Sequence, residues 1–421
     1  MFVKQIHHIA IKVKAFVSKT IIKYAVVVLG IVLLVILPKL YQLSTTPPGA
    51  VPLYVHGIGE DYFYDLMVIR QGLEGSAEID QYTTEDTKPA YVHVYYLVLG
   101  WIGRYFHATA ITMYGIGLAL SLVVFVVSTM VLVHIVIPRK YRLLALVIIF
   151  FCGPFPPVEL SLFGKTFGIG TSWWTNMDQY HRLTQMPHHY IGQAGAIFAS
   201  ACVFLWFRSE RFRYAVLAGV ACAFGILGYN VPGVVFLASL WFVVFMMVCT
   251  GILQKKSLQE VFSQVPLWHI LAISIPPLVV LAWFQYQMHT LGYPWDSFLA
   301  WESNWYNHFP KEIYPYTFPV FLVSFGVLPI FMLPAWVRWI KKGSTGTLFL
   351  GCMVIVPILL YILAAQRILP VPKIRFTSIS PYVFAGIIAT FGISYIDAFL
   401  RRYRFHTVCM SILLLFLSAN A

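Results

Sequence analysis

Charge is scarce in this chain. Of 421 residues, 11% are Asp, Glu, Lys or Arg, against about a quarter in soluble globular domains, while 59% are hydrophobic and 17% aromatic. So little charge cannot solvate the surface of a large soluble fold, and several windows stay apolar over the ~20 residues that cross a hydrocarbon core of ~30 Å. Acids are scarcer still, 16 against 29 Lys plus Arg, for a net charge of +13. The bases fall in short clusters between apolar spans and form no sustained stripe, which excludes nucleic acid as a partner. The six cysteines (Cys152, Cys202, Cys222, Cys249, Cys352 and Cys409) lack the paired spacings of zinc or redox sites and read as small packing residues in apolar segments. Internal repeats, low-complexity tracts and loops long enough for a sizeable soluble domain are missing. So are the short alternating segments of a membrane barrel, which leaves helices to satisfy the backbone inside the bilayer.

The expectation is an all-α polytopic membrane protein. About eleven spans are predicted, at 24–41, 111–137, 143–160, 189–207, 213–229, 232–252, 267–288, 317–338, 346–365, 381–398 and 405–421. The basic start, with Lys4, Lys12, Lys14, Lys19 and Lys23 ahead of an apolar run that no small-residue cleavage site follows, reads as an uncleaved signal anchor with a cytoplasmic amino terminus. Every loop that this count makes cytoplasmic is then basic: "PRKYR" (138–142), "RSERFR" (208–213), "QKK" (254–256), "RWIKK" (338–342) and "RRYR" (401–404). The chain reads as one membrane domain over 1–421 in a cell membrane, ending inside an apolar run that is either a true last span or an incomplete one. The first outer loop, 42–110, holds two juxtamembrane helices. In its segment "DYFYDLMVIRQGLEG", Tyr62, Leu66, Ile69 and Leu73 recur at helical spacing with polar residues opposite.

The outer segments hold most acids and histidines. Glu60 and Asp61 stand just beyond the first span, where a carboxylate can take a proton from an acceptor hydroxyl or help bind a divalent cation; Asp61 equally suits a helix N-cap with Glu60 solvated. "WWTNMDQYHRLTQMPHHYIGQ" (173–193) brings Asp178, His181, Arg182, His188 and His189 to the same side, without a zinc spacing. These residues suit a polar cavity, or a metal site whose ligands the spacing leaves unknown. "TLGYPWDSFLAWESNWYNHFPKEIYPY" (290–316) sets Asp296, Glu302 and His308 among aromatics suited to sugar rings or to an interface belt. "AAQRILPVPKIRFTSISPYVFAG" (364–386) puts Arg367, Lys373 and Arg375 on the outer side, against the charge bias elsewhere. A bound phosphate explains that exception, as does snorkelling.

In these stretches the chain resembles the multispanning C-type (GT-C) glycosyltransferases, which include protein O-mannosyltransferases, aminoarabinose transferases and oligosaccharyltransferases. "GEDYFYDLMVIRQGLEG" and "KPAYVHVYYLVLGWIGRYF" match that family's early acid and its two juxtamembrane helices, and "IRFTSISPYVFAG" matches its Arg-aromatic pair before a Pro-started span. The Glu-Asp order and the histidine-rich second outer segment depart from its common pattern. The resemblance implies transfer of a sugar from a polyprenyl-phosphate carrier to a lipid, glycan or protein acceptor at the extracytoplasmic face. Asp61 would be the base or a metal-binding acid, Lys373 and Arg375 would hold the donor phosphate, and a divalent cation, Mg or Mn, would serve as cofactor. Two other function classes remain open from the sequence: a transporter or flippase for lipid-linked saccharides, and a polysaccharide polymerase or ligase.

Overall fold

The computed structural model describes residues 2–50, 59–80, 87–153, 158–162, 165–169, 182–255, 260, 266–297, 324–366, 368–369, 371, 375–376, 380–403 and 407. Helices dominate: α1 (Phe2–Thr45), α2 (Gly59–Glu74), α3 (Val94–Tyr105), α4 (Ala110–Val136), α5 (Arg142–Phe151), α6 (Pro187–Ser209), α7 (Phe212–Gly228), α8 (Asn230–Leu253), α9 (Leu267–Thr290), α10 (Leu328–Lys342), α11 (Thr345–Ala365) and α12 (Ser380–Leu400). Seven of them are long and apolar enough to cross a membrane among the described residues: Tyr24–Thr45 within α1, then α4, α6, α8, α9, α11 and Pro381–Leu400 within α12. The chain is a multi-pass membrane protein. Of the remaining predicted spans, 213–229 is the shorter apolar helix α7, 317–338 is described only from Ser324 onward, and 405–421 lies almost wholly outside the described residues.

The predicted span 143–160 is corrected. α5 stops at Phe151, and an antiparallel hairpin follows, with β1 (Val158–Leu162) paired to β2 (Lys165–Ile169) in a register of Val158 opposite Ile169. The intervening sequence is "CGPFPP" (152–157), whose three prolines lack the N–H that a continuing helix needs. This hairpin is the departure from the all-α expectation.

α6 sits at the centre, packed on α4, α7 and α8. Within its most apolar stretch 78% of residues are buried, against 17% for the peripheral α1. Small residues make this possible, since a Cβ on Gly195 would lie 2.5 Å from the Gly225 Cα of α7. A second close crossing joins α2 to α3, where a Cβ on Gly100 would run into the Ile69 carbonyl oxygen.

Long-range contacts sort the helix ends into two sides. At one end Lys140 Nζ and Arg401 Nη2 reach Asp397 Oδ2 at 2.7 and 2.8 Å, the Tyr141 hydroxyl donates to the same oxygen, and Trp206 Nε1 donates to His269 Nδ1 at 2.7 Å. The basic stretches 138–142, 208–213 and 401–403 adjoin these contacts in sequence. At the other end α2 and α3 pack on α4, Tyr96 of α3 meets His188 at the start of α6, and the candidate site lies there.

Candidate functional site

α2 presents Tyr62, Asp65, Val68, Ile69 and Gly72 on its buried face. At ~100° per residue this arc is centred near Asp65, rotated from the stripe expected in the sequence. That corrects the placing of polar residues opposite the apolar ones. Asp65 lies three after Tyr62 and four before Ile69, in register with both, so its carboxylate is only 2% exposed. Tyr62 packs edge-on against Tyr114 of α4 at 4.8 Å between centroids and fixes the rotation.

His93 reaches Asp65 from the residue before α3. The segment leading to it is pinned by the Ile79–Ala90 bridge, by the Tyr91 amide donating to Gln287 Oε1 at 2.7 Å, and by the Trp295 indole donating to the Lys88 carbonyl at 2.8 Å. The backbone then turns at His93 into the left-handed region, φ 57° and ψ 38°, a conformation that costs a non-glycine residue about 1–2 kcal/mol. His188 arrives from the first turn of α6, where Pro187 starts the helix with a missing N–H that no bond required. Its Nδ1 lies 2.7 Å from the Tyr96 hydroxyl of α3, and its ring is 5.4 Å from that of His93.

One carboxylate oxygen of Asp65 and one ring nitrogen each of His93 and His188 all lie within 4.8 Å of one another. An ion with bonds of ~2.1 Å needs no two ligands further apart than ~4.2 Å, so small inward shifts would close the set. Two polar atoms of these residues, Asp65 Oδ2 and His93 Nδ1, are buried without a hydrogen-bond partner. Orphans of this kind cost about 1–3 kcal/mol each, which a shared cation would offset. Burial pushes the Asp65 carboxyl well above the usual carboxylate range; the Tyr96 hydroxyl opposes the shift and the Asp61 charge adds to it. Burial lowers His93 to about 4, so its imidazole is neutral at pH 7 and keeps a lone pair for a metal.

Asp61 is the third residue of α2 and exposed, so it stands inside the first turn and is not the N-cap. It lies one turn from Asp65, on the same side of the helix. Glu60 is the second residue of α2, and its side chain is outside the described set. Arg375, half-buried in a short turn before α12, is within electrostatic reach of His188 and His189. His189 lies edge-on against His188, with ring centroids 4.4 Å apart, and also meets Gln185 Oε1 at 3.2 Å and the Tyr229 ring at 4.3 Å. Lys373, Arg367, Asp178 and His181 lie outside the described residues. Arg182 is structural: fully buried, it stacks at 3.6 Å on the Tyr382 ring and donates to the Ile149 and Cys152 carbonyls, which the end of α5 leaves open. Sequence reading missed Asp65, His93 and Tyr96. The available signal was Asp65's register with the apolar stripe.

Neither a protein-family model nor a curated protein matches the sequence. Solved structures do resemble it. An Archaeoglobus fulgidus oligosaccharyltransferase tethered to an acceptor peptide has a TM-score of 0.52 and 12% identity, covering 91% of this chain and 50% of that one. The oligosaccharyltransferase AglB of that organism, with an inhibitory peptide and a dolichol-phosphate, gives 0.53 and 12%, covering 90% and 51%. A complex of the oligosaccharyltransferase with Zn and sulfate gives 0.52 and 15%, covering 93% and 51%. The chain thus spans about half the length of these neighbours. At such identities the likeness is one of fold alone, and the fold of this chain is like that of the archaeal oligosaccharyltransferase over the part it spans.

Proposed function

We propose that the chain is a membrane glycosyltransferase that moves a sugar from a polyprenyl-phosphate-linked donor to an acceptor at the extracytoplasmic face. The observation that carries this reading is the convergence, at one end of an oligosaccharyltransferase fold, of the Asp65–His93–His188 set with Asp61 and Arg375. The neighbours add that a dolichol-phosphate binds a protein of this fold, and Zn with sulfate likewise.

Asp65, His93 and His188 would hold a divalent cation. The two imidazoles favour manganese or zinc over magnesium, which prefers an all-oxygen shell. Such an ion would supply Lewis-acid stabilisation of phosphate charge. The Tyr96 hydroxyl, accepting from His188 Nδ1–H, would fix the tautomer that leaves Nε2 free to ligate. Arg375, with Lys373 and Arg367 beside it in sequence, would bind the donor phosphate and stabilise the charge left on it as the glycosidic bond to phosphate breaks. Asp61 would take the proton of the acceptor hydroxyl as that oxygen attacks the anomeric carbon.

Purified protein incubated with a panel of radiolabelled polyprenyl-phosphate sugars should hydrolyse or transfer one of them. Arg375→Ala should weaken binding of that donor roughly ten- to a hundredfold, as loss of a charge-assisted contact of about 1.5–3 kcal/mol requires, and Arg375→Lys should recover part of it. Equal donor affinity in all three proteins would return Arg375 to a snorkelling role. The orientation has its own check. Ala77 is exposed in the turn beyond α2, so Ala77→Cys should react with an impermeant maleimide in intact cells. Reaction only after permeabilisation would reverse the topology and remove the extracytoplasmic site.

A further inference from the structure

The opposite end of the molecule carries a feature that the transferase reading does not use. A cavity of about 620 Å³ opens between the carboxyl-terminal halves of α10 and α12, with Leu333, Val337 and the Tyr395 ring among its apolar walls and Arg338, Lys341 and Lys342 at its rim. The volume is in the range of small-ligand sites. Among the described residues no acidic side chain lines it.

These three bases differ from their neighbours at the same end. Lys140 and Arg401 are spent on Asp397, and Arg142 donates to the His134 and Ile137 carbonyls at 2.8 and 3.1 Å. Arg338, Lys341 and Lys342 make no ion pair among the described residues, and the Arg338 guanidinium is held over the Tyr395 ring at 4.6 Å. A cation–π contact of this kind positions the charge without neutralising it. Tyr395 is fixed in turn, since its hydroxyl accepts from Trp339 Nε1 at 3.3 Å. On the same helix Ile330, Leu333, Val337 and Ile340 are exposed, so the cavity opens beside an apolar surface of the kind that faces lipid tails.

A fixed guanidinium and two ammonium groups above an apolar slot complement a phosphate on a hydrocarbon chain. We propose that this cavity binds an anionic phospholipid, its phosphate at Arg338, Lys341 and Lys342 and its acyl chain along Leu333 and Val337. The basic stretch 338–342 at the end of α10 is then a lipid site as well as a topology signal, and this holds whatever chemistry occurs at the other end.

The test compares phosphatidylglycerol with phosphatidylcholine on the purified full chain, by native mass spectrometry with titrated lipid. Phosphatidylglycerol should bind about a hundredfold more tightly, roughly fivefold per basic residue. The triple variant Arg338→Ala/Lys341→Ala/Lys342→Ala should lose that preference, and soluble glycerol phosphate should not displace the lipid. Equal affinity of the unaltered protein for the two lipids would overturn the proposal without reference to any variant. So would a preference that survives the triple substitution, or displacement by glycerol phosphate at the concentration of the lipid, which would mark a site for a soluble anion.

Discussion

Asp65→Asn should strip the purified protein of bound manganese or zinc, with affinity falling by more than ~100-fold. Outer-shell partners of a metal site are alone worth about 10–100-fold, so loss of a ligand should exceed them, and Tyr96→Phe should fall inside that range. Elemental analysis after equilibrium dialysis reads both. The companion variant is His93→Gly. Glycine adopts φ 57° without the Cβ clash, and the change also removes a buried nitrogen without a partner. The metal-free variant should therefore melt no lower than the metal-free parent, within about 1 kcal/mol, while its metal affinity collapses. If His93 merely fills space among the Tyr64, Tyr96 and His188 rings, the same change would open a void and destabilise the protein with or without metal. Metal binding that persists in Asp65→Asn, or a clear destabilisation of metal-free His93→Gly, would remove the cation from the site. Manganese or zinc should also outcompete magnesium, since two of the three donors are imidazole nitrogens.

The membrane fold was legible because its cause is written residue by residue in the sequence. A helix must be apolar over its whole crossing, and the predicted 111–137, 189–207, 232–252, 267–288, 346–365 and 381–398 coincide with α4, α6, α8, α9, α11 and α12 to within a few residues. The exception, 143–160, shows the limit of that signal: hydropathy counts Pro154, Pro156 and Pro157 as tolerable, whereas the helix geometry does not. The site was less legible. Asp61, His188, His189 and Arg375 stood out through residue type and position against the charge bias, and the structure places His188, His189 and Arg375 near one another, with Asp61 one turn from Asp65. Asp65 did not stand out because the buried arc of α2 is set by Tyr62 against Tyr114 and by the Gly72–Gly100 crossing, contacts made with other helices. His93 depends on a left-handed turn after a segment tied to Gln287, nearly two hundred residues away in sequence. Neither constraint is local, so no periodicity reports it.

Asp61→Asn should cost at least about a hundredfold in turnover with donor binding little changed. Loss of a general base is worth about 10²–10⁴, and the effect belongs in kcat because the proton leaves only as the acceptor oxygen attacks. In the proposed function Asp61 and Asp65 of α2 would divide the work by burial: Asp65 is enclosed with two histidines, where a cation would neutralise it, whereas Asp61, one turn nearer the helix start, is exposed. Asn keeps the shape of Asp and removes its basicity, so metal content should stay at the level of the parent. That separates the variant from Asp65→Asn, which should lose metal and turnover together. Asp61→Glu should restore part of the rate by returning a carboxylate at a displaced position. The decisive measurement is single-turnover transfer with donor at saturation, on protein shown to be inserted and folded. A near-normal rate for Asp61→Asn would move the base to Glu60, its neighbour at the second position of α2, or to Asp178. Loss of metal from Asp61→Asn would instead make Asp61 a fourth ligand, and the proton would then need another acceptor.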